Sequence, residues 1–229
     1  MLELSDQETD AKPAATVILM RPAGEDIEVL LLKRSEALKH MPGLWVFPGG
    51  KVEAEDPGEG DFEQALNAAA RECHEEAGVA LQCDALAPFS YWLTPVVVKR
   101  RFSTWFFWAQ VPADTAVEVD GSEITAYQWW QPSQAIAAHH AGELPMTPPT
   151  LVSLHDLDAL DWSSVAPTDL VTRTPPIFFP NVIQDDEQMV FLYEGDVSYE
   201  TGDLTQEGVR HRTVGDRGVF RYQQCLDGH

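Results

Sequence analysis

Residues 61–79 constrain the fold more than any other part of this chain of 229 residues. Small and apolar side chains recur there at the three- and four-residue spacing of a buried helical stripe, namely Ala65, Leu66, Ala69 and Cys73. Asp61, with Gln64 three residues later, is predicted to cap the first turn. Gly78 is predicted to close the helix in the left-handed conformation. The pattern therefore predicts a helix over residues 61–77.

Three carboxylates project from one face of this predicted helix. Glu72, Glu75 and Glu76 stand at positions i, i+3 and i+4, and no basic residue lies four positions ahead to neutralise them. Such a cluster is natural if a hard cation completes it. Mg²⁺ and Mn²⁺ prefer carboxylate oxygens and often share their shell with substrate phosphates. Arg71 can pair with Glu75. The alternative to a cation site is an acidic helix face that is simply solvated.

Strands and helices alternate irregularly along the rest of the chain. An apolar hairpin is predicted over residues 15–33, and two short helices are predicted at 132–141 and 148–160. Further strands are predicted at 44–47, 89–93, 95–98, 102–109 and 124–130. The mixture predicts the α+β class.

The chain divides into three parts by composition. A polar lead-in covers residues 1–13, the main domain covers 14–163, and a Pro-containing, β-rich extension covers 164–229. Because about 65 residues alone would have a marginal core, we expect the extension to pack on the main domain. Two roles stay open for it: completing a homodimer or covering the substrate cleft.

Charge and composition exclude several classes of protein. There are 15 Lys+Arg against 37 Asp+Glu, and the net charge of −22 excludes a nucleic-acid-binding protein with a broad basic surface. No run approaches the roughly 20 apolar residues of a membrane span, and residues 1–10 do not resemble a secretory signal. The 3 cysteines include no C-x-x-C pair that would indicate a zinc site. We expect a cytoplasmic protein with a small-molecule partner and no contact with nucleic acid or membrane.

The helical segment resembles the Nudix box, G-x5-E-x7-R-E-U-x-E-E-x-G-U, in which U is aliphatic. The motif positions are matched by Glu63, Arg71, Glu72, Glu75, Glu76, Gly78 and Val79. Cys73 stands where an aliphatic residue is usual, although a buried thiol behaves as a small hydrophobe. Twelve residues rather than five separate Gly50 from Glu63, so the loop carries seven extra residues.

The resemblance implies a Nudix-type α/β/α sandwich with a mixed sheet that hydrolyses a nucleoside diphosphate linked to another group. It implies that Glu72, Glu75 and Glu76 bind Mg²⁺ or Mn²⁺, with the backbone carbonyl of Gly49 as a further ligand. Arg71 is similar to the arginine that orients these carboxylates.

The general base has two candidates under this resemblance. Glu72 is one of them. Glu123 resembles the downstream loop glutamate that some family members use, and the alternative for Glu123 is an ordinary exposed side chain.

Residues upstream of the box bear on the identity of the substrate. The run from Leu30 to Ser35, followed by Lys39, Gly43 and Phe47-Pro-Gly-Gly50, is similar to the signature of coenzyme A diphosphatases within this superfamily. Leu32 and Lys39 replace a threonine and an arginine of that signature. The resemblance implies hydrolysis of CoA or acyl-CoA to 3′-phosphoadenosine 5′-phosphate and (acyl-)phosphopantetheine. The alternatives are an ADP-ribose or dinucleotide pyrophosphatase and a catalytically idle nucleotide sensor.

Basic and aromatic residues supply candidate substrate contacts. Arg34, Arg100 and Arg101 could hold extra phosphates such as the 3′-phosphate of CoA, and the alternative is pairing with nearby acids. Aromatic side chains that could stack an adenine are Trp92, Trp105, Phe106 and Trp108. Alternating aromatics on strands more often pack a sheet.

Overall fold

A mixed sheet lies at the centre of the molecule. The computed structural model describes residues 9–162, 164, 173–185 and 188–225. Within these residues the sheet contains β1 (Lys12–Ala23), β2 (Asp26–Arg34), β3 (Trp45–Val46), β4 (Gly49–Lys51), β5 (Ala87–Leu93), β6 (Phe102–Gln110), β7 (Ile124–Trp130) and β8 (Ile177–Phe178). The strand order is β3-β2-β1-β6-β5-β8, with β4 paired to β1 and β7 paired to β2. The β1–β6 and β5–β8 pairs are parallel, and the other pairs are antiparallel.

The helices lie close to their predicted positions, and one predicted cap is wrong. They are α1 (Asp61–Ala77), α2 (Pro132–His140) and α3 (Pro148–Asp158). Gly78 ends α1 at φ 70°, and its N–H donates to the carbonyl of His74 at 3.0 Å. Gly60, not Asp61, is the N-cap residue, and no side chain caps it. Asp61 lies one position inside the helix and therefore cannot act as the cap.

The predicted strand at residues 95–98 is also wrong. These residues form a turn in which the N–H of Val98 donates to the carbonyl of Pro95 at 3.1 Å. Proline has no N–H to give to a sheet ladder, which is why an apolar run that begins with Pro95 does not extend β5.

Two apolar layers cover the two faces of the sheet. Alternate residues of β1 point to opposite faces: Val17 and Leu19 pack in the layer beneath α1, whereas Ile18 and Met20 pack in the layer beneath α2 and α3. All four are at most 1% exposed. The arrangement is the predicted α+β sandwich.

The C-terminal part adds a second sheet. Its four antiparallel strands are β9 (Asn181–Asp185), β10 (Gln188–Leu192), β11 (Arg210–Asp216) and β12 (Val219–Cys225), in the order β12-β11-β10-β9. β8 instead joins the edge of the main sheet beside β5. The predicted boundary adjoins residues 163 and 165–172, which lie outside the described residues, as do residues 1–8 of the lead-in.

A buried histidine ties the second sheet to α2. The side chain of His139 is fully buried, and its Nδ1 lies 2.9 Å from the carbonyl of Leu144. Its Nε2 accepts a hydrogen bond from the N–H of Phe220 at 2.9 Å, so the proton of the neutral ring lies on Nδ1.

Within the described residues, none of the helices has both the length and the apolar character that crossing a membrane requires.

Candidate active site

The C-terminal end of α1 contacts the start of β4 through Glu76. This side chain belongs to a residue only 8% exposed, and its Oε2 accepts a hydrogen bond from the N–H of Gly49 at 2.9 Å. Burial raises the pKa of Glu76 to about 7; the Gly49 hydrogen bond opposes this rise, while the charge of Glu72 adds to it. A carboxylate that is this costly to ionise is one that a divalent cation would stabilise.

Two glycines let β4 pass between β1 and α1. A Cβ atom at Gly50 would collide with the carboxylate of Glu72. A Cβ atom at Gly49 would lie 2.6 Å from the Cα of Thr16 on β1. The predicted tight approach after Pro48 is therefore an approach of the backbone to the carboxylate face of α1.

Arg71 holds the outer carboxylates of this face. Its Nη1 donates to Glu72 Oε1 at 3.0 Å and to Glu75 Oε2 at 3.2 Å, so the predicted pair with Glu75 is present. The Glu75 side chain is 55% exposed, whereas that of Glu72 is 15% exposed. Burial raises the pKa of Glu72, and Arg71 opposes that rise.

Asp56 is a site residue that the sequence reasoning did not identify. It lies in the inserted loop and accepts from Arg71 Nε at 2.8 Å and from Arg71 Nη2 at 3.0 Å. The Arg71 hydrogen bond, working against burial, lowers the pKa of Asp56. No spacing rule connects this aspartate to α1, because the loop between them has no period.

The pairing of β2 with β7 brings Arg34 close to Glu123 along the sheet. The N–H of Ser35, next to Arg34, donates to the carbonyl of Glu123 at 2.7 Å. Both side chains act on the pKa of Glu76, which Arg34 lowers and Glu123 raises. In the part of the chain that the structure describes, the buried Nε of Arg34 has no hydrogen-bond partner. A phosphate oxygen would satisfy this donor.

Asp120 shapes the loop that carries Glu123. Its carboxylate accepts from the backbone N–H of Glu123 at 2.9 Å and of Ile124 at 2.8 Å. Burial works against ionisation, but the hydrogen bonds from Ser122, Glu123 and Ile124 together lower the pKa of Asp120 to about 2.

The other predicted substrate contacts are two arginines and four aromatic residues. Arg101 is 7% exposed, and its guanidinium donates to the carbonyls of Thr94 at 3.1 Å and Thr9 at 2.6 Å, which favours a structural role. Arg100 is exposed. Of the predicted aromatics, three lie in the core: Trp92, Phe106 and Trp108. The fourth, Trp105, is half-buried on the α1 face of the sheet.

The carboxylate face fits Mg²⁺ or Mn²⁺ by its chemistry. Its donors are hard oxygens, with a buried glutamate that a cation would stabilise. Within the described residues, no group of three or more His, Cys, Asp or Glu side chains is already placed to hold a metal ion by itself. Mg²⁺ does not require such a group, because it keeps several water ligands and shares substrate phosphates.

Comparisons with known proteins point to one family. The NUDIX domain profile matches residues 10–149. A protein of Caenorhabditis elegans named nudix hydrolase 7 is 28% identical over 187 residues, covering 66% of this chain and 62% of that protein. An acyl-coenzyme A diphosphatase of Xenopus laevis is 25% identical, with the alignment covering 80% of this chain and 74% of that protein.

A relative with a different activity also matches part of the chain. An asymmetrical bis(5′-nucleosyl)-tetraphosphatase of Rattus norvegicus is 38% identical over 105 residues, covering 45% of this chain and 63% of that protein. The chain spans less than two thirds of the length of the worm and rat relatives.

The fold agrees with the profile. A crystal structure of a NUDIX hydrolase from Alicyclobacillus acidocaldarius matches at a TM-score of 0.63 and 23% identity, covering 73% of this chain and 98% of that one. At this identity the match shows the fold alone. Because the family profile covers more than half of the chain, the chain belongs to the Nudix hydrolase superfamily.

Proposed function

We propose that this protein uses Mg²⁺ or Mn²⁺ to hydrolyse the diphosphate bond of CoA or acyl-CoA, giving 3′-phosphoadenosine 5′-phosphate and (acyl-)phosphopantetheine. The observation that carries the reaction is the buried carboxylate of Glu76 at the start of β4, whose pKa responds to the charges of Glu72, Arg34 and Glu123. The similarity to an acyl-coenzyme A diphosphatase over 80% of the chain supports the substrate.

The carboxylates of α1 have a binding role in this proposal. Glu72, Glu75 and Glu76 would hold the cation, with the carbonyl of Gly49 as a further ligand. When bound, Mg²⁺ or Mn²⁺ supplies charge neutralisation of the diphosphate and a lowered pKa for a water ligand. Arg71 keeps two of the three side chains in place through its Nη1.

A glutamate takes the proton of the attacking water. The water oxygen bonds to one phosphorus, and the bond from that phosphorus to the bridging oxygen breaks. The bridging oxygen leaves with the other phosphate, and one water proton passes to the carboxylate. Glu123 and Glu72 are the two candidates. Glu123 is exposed on a loop held by Asp120, whereas Glu72 is occupied by Arg71. This difference favours Glu123.

Arg34 contributes the contact to substrate phosphate. Its buried Nε has no partner within the described residues and lies near Glu76. A substrate phosphate would complete this donor and offset the carboxylate charge around it. Arg100 stays a second candidate on the exposed loop after β5.

A substrate panel tests the proposal. The purified protein is incubated with Mg²⁺ or Mn²⁺ and CoA, an acyl-CoA, 3′-dephospho-CoA, ADP-ribose, NADH or a nucleoside triphosphate, and products are identified by mass. Selective release of 3′-phosphoadenosine 5′-phosphate is the expected result. Equal rates on CoA and 3′-dephospho-CoA, with faster turnover of ADP-ribose, would contradict the substrate assignment.

An ADP-ribose or dinucleotide pyrophosphatase is the second candidate function. This function is supported by the similarity to a bis(5′-nucleosyl)-tetraphosphatase, which covers 45% of the chain. In the same panel this function gives its highest rate on a substrate without pantetheine. The cytoplasmic location and the homodimer stay predictions from sequence.

A further inference from the structure

The inserted loop before α1 returns to the active site at Asp56. This residue is only 5% exposed. Its Oδ1 accepts from Arg71 Nε at 2.8 Å, and its Oδ2 accepts from Arg71 Nη2 at 3.0 Å and from the N–H of Glu53 at 2.8 Å. The carboxylate therefore grips one edge of the guanidinium with both oxygens while its own loop holds it in place.

With Nε and Nη2 held by Asp56, Nη1 at the other end of the guanidinium is left to contact the carboxylate face of α1. The five N–H donors of arginine lie in one rigid plane, so fixing Nε and Nη2 also fixes the direction of Nη1. That nitrogen contacts Glu72 at 3.0 Å and Glu75 at 3.2 Å. Nη2 also donates to the carbonyl of Lys51 at 3.0 Å, which ties the same arginine to the end of β4.

The box acid upstream of Arg71 does not make this contact. Glu63 Oε2 instead accepts from the N–H of Glu59 at 2.8 Å, at the start of α1. In the described part of the chain, Asp56 is thus the carboxylate that holds the Nε edge of Arg71. The seven additional residues of the loop contain or adjoin the group that performs this task.

We propose that Asp56 is a positioning residue, which holds Arg71 so that one nitrogen reaches Glu72 and Glu75 together. The inference rests on the proposed function, because it assigns a role within the same metal-binding face. Without Asp56 the guanidinium can rotate about its long side chain. Glu72 and Glu75 then lose the donor that sets their separation, and the cation finds its ligands misplaced.

A double-mutant cycle separates positioning from simple support of the loop. The variants are Asp56→Asn, Arg71→Lys and the two combined, with Glu55→Gln as the matched control on the same loop because its side chain is exposed. Asp56→Asn keeps the size of the side chain, but its amide N–H₂ faces an arginine N–H. We expect kcat to fall about 10- to 100-fold, the scale for losing an orienting partner of a metal ligand, with KM changed less than about threefold.

Non-additivity is the diagnostic result. If Asp56 acts through Arg71, adding Asp56→Asn to Arg71→Lys lowers kcat and Mn²⁺ affinity by no more than about threefold further. Multiplication of the two single effects would overturn the proposal, as would a Glu55→Gln loss equal to that of Asp56→Asn. Asp56→Glu retains a carboxylate and is expected to recover part of the lost Mn²⁺ affinity.

Mn²⁺ binding keeps this test separate from the substrate question. Affinity for Mn²⁺ is measured by electron paramagnetic resonance without any substrate, alongside circular dichroism to verify folding. If the wild-type protein binds Mn²⁺ but hydrolyses nothing in the panel, the proposed function fails while the cycle is still completed on Mn²⁺ affinity. If Asp56→Asn does not fold, Asp56→Glu and Arg71→Lys complete the comparison. An Mn²⁺ affinity of Arg71→Lys equal to that of the wild-type protein would refute the positioning role, because Asp56 is proposed to act through Arg71.

Discussion

The carboxylate of Glu76 accepts a hydrogen bond from the backbone N–H of Gly49 at 2.9 Å, which joins the last turn of α1 to the first residue of β4. The contact keeps Glu76, the most buried glutamate of the box, against β4. The carbonyl of Gly49 on this strand is proposed to bind the same cation as Glu76. The hydrogen bond also partly satisfies a carboxylate whose burial raises its pKa to about 7. The fold therefore holds this carboxyl group where its ionisation is costly.

Glu76→Gln should trade activity for stability. We expect kcat to fall by at least about 100-fold, because a charge-stabilising ligand is lost. The pKa of Glu76 rises from 4.5 to about 7 on folding, so the folded protein binds more protons than the unfolded chain. The free energy of unfolding contributed by this group therefore falls as pH rises from 4.5 to 7.

Calorimetry in EDTA measures this trade. The melting temperature of Glu76→Gln should exceed that of the wild-type protein at pH 8, and the difference should shrink at pH 5. Each kcal/mol corresponds to about 2–4 °C for a protein of this size. A variant that keeps wild-type turnover would refute the metal assignment.

Gly50→Ala should reduce activity while the protein stays folded. The added Cβ collides with the Glu72 carboxylate, which must move away from the face it shares with Glu76. A displacement of about 1 Å at a reacting group can cost roughly 100-fold in rate. Gly60→Ala is the matched control, because its Cβ would meet nothing within 4 Å. Similar kcat values for the two variants would contradict the close approach.

Glu123→Gln separates the two candidate bases. If Glu123 takes the proton of the attacking water, the substitution lowers kcat by about 100- to 10,000-fold and leaves Mn²⁺ affinity near that of the wild-type protein. Glu72→Gln should lower both quantities. Glu143→Gln, at an exposed position after α2, serves as the control. An unchanged kcat in Glu123→Gln would assign the base role to Glu72.

His139→Ala should weaken the attachment of the second sheet. The substitution removes both a fully buried ring and the acceptor of the Phe220 N–H. We expect the free energy of unfolding to fall by about 2–4 kcal/mol, measured by urea denaturation. A loss below about 1 kcal/mol would show that this contact is not needed for packing.

The same histidine gives a pH dependence of opposite sign to that of Glu76. Burial lowers the pKa of His139 below its ordinary value of 6.5, although its hydrogen bond to Leu144 opposes the change. The unfolded chain then binds more protons at mildly acidic pH, so this contribution to stability is lost as pH falls below 6.5. His139→Ala should therefore lose part of the difference in unfolding free energy between pH 7 and pH 5.5.

Local order in the sequence determined the helix and its chemistry. The spacing of Glu72, Glu75 and Glu76 places three carboxylates on one face wherever α1 forms, and Gly78 ends that helix for reasons confined to its own backbone. Such features depend on neighbours within four residues. The cap at Asp61 failed because the exact first residue of a helix depends on the loop before it.

Only the tertiary structure decided which distant residues complete the site. Arg34 and Glu123, whose charges both act on Glu76, come together because β2 pairs with β7 across about 90 residues of chain. The sequence carries no period that specifies this pairing. Asp56 reaches Arg71 through a loop whose course follows from its own turns and from burial of its carboxylate. The carboxylate face of α1 was thus encoded locally, whereas the residues proposed to orient it and to contact substrate were placed by sheet pairing and loop packing.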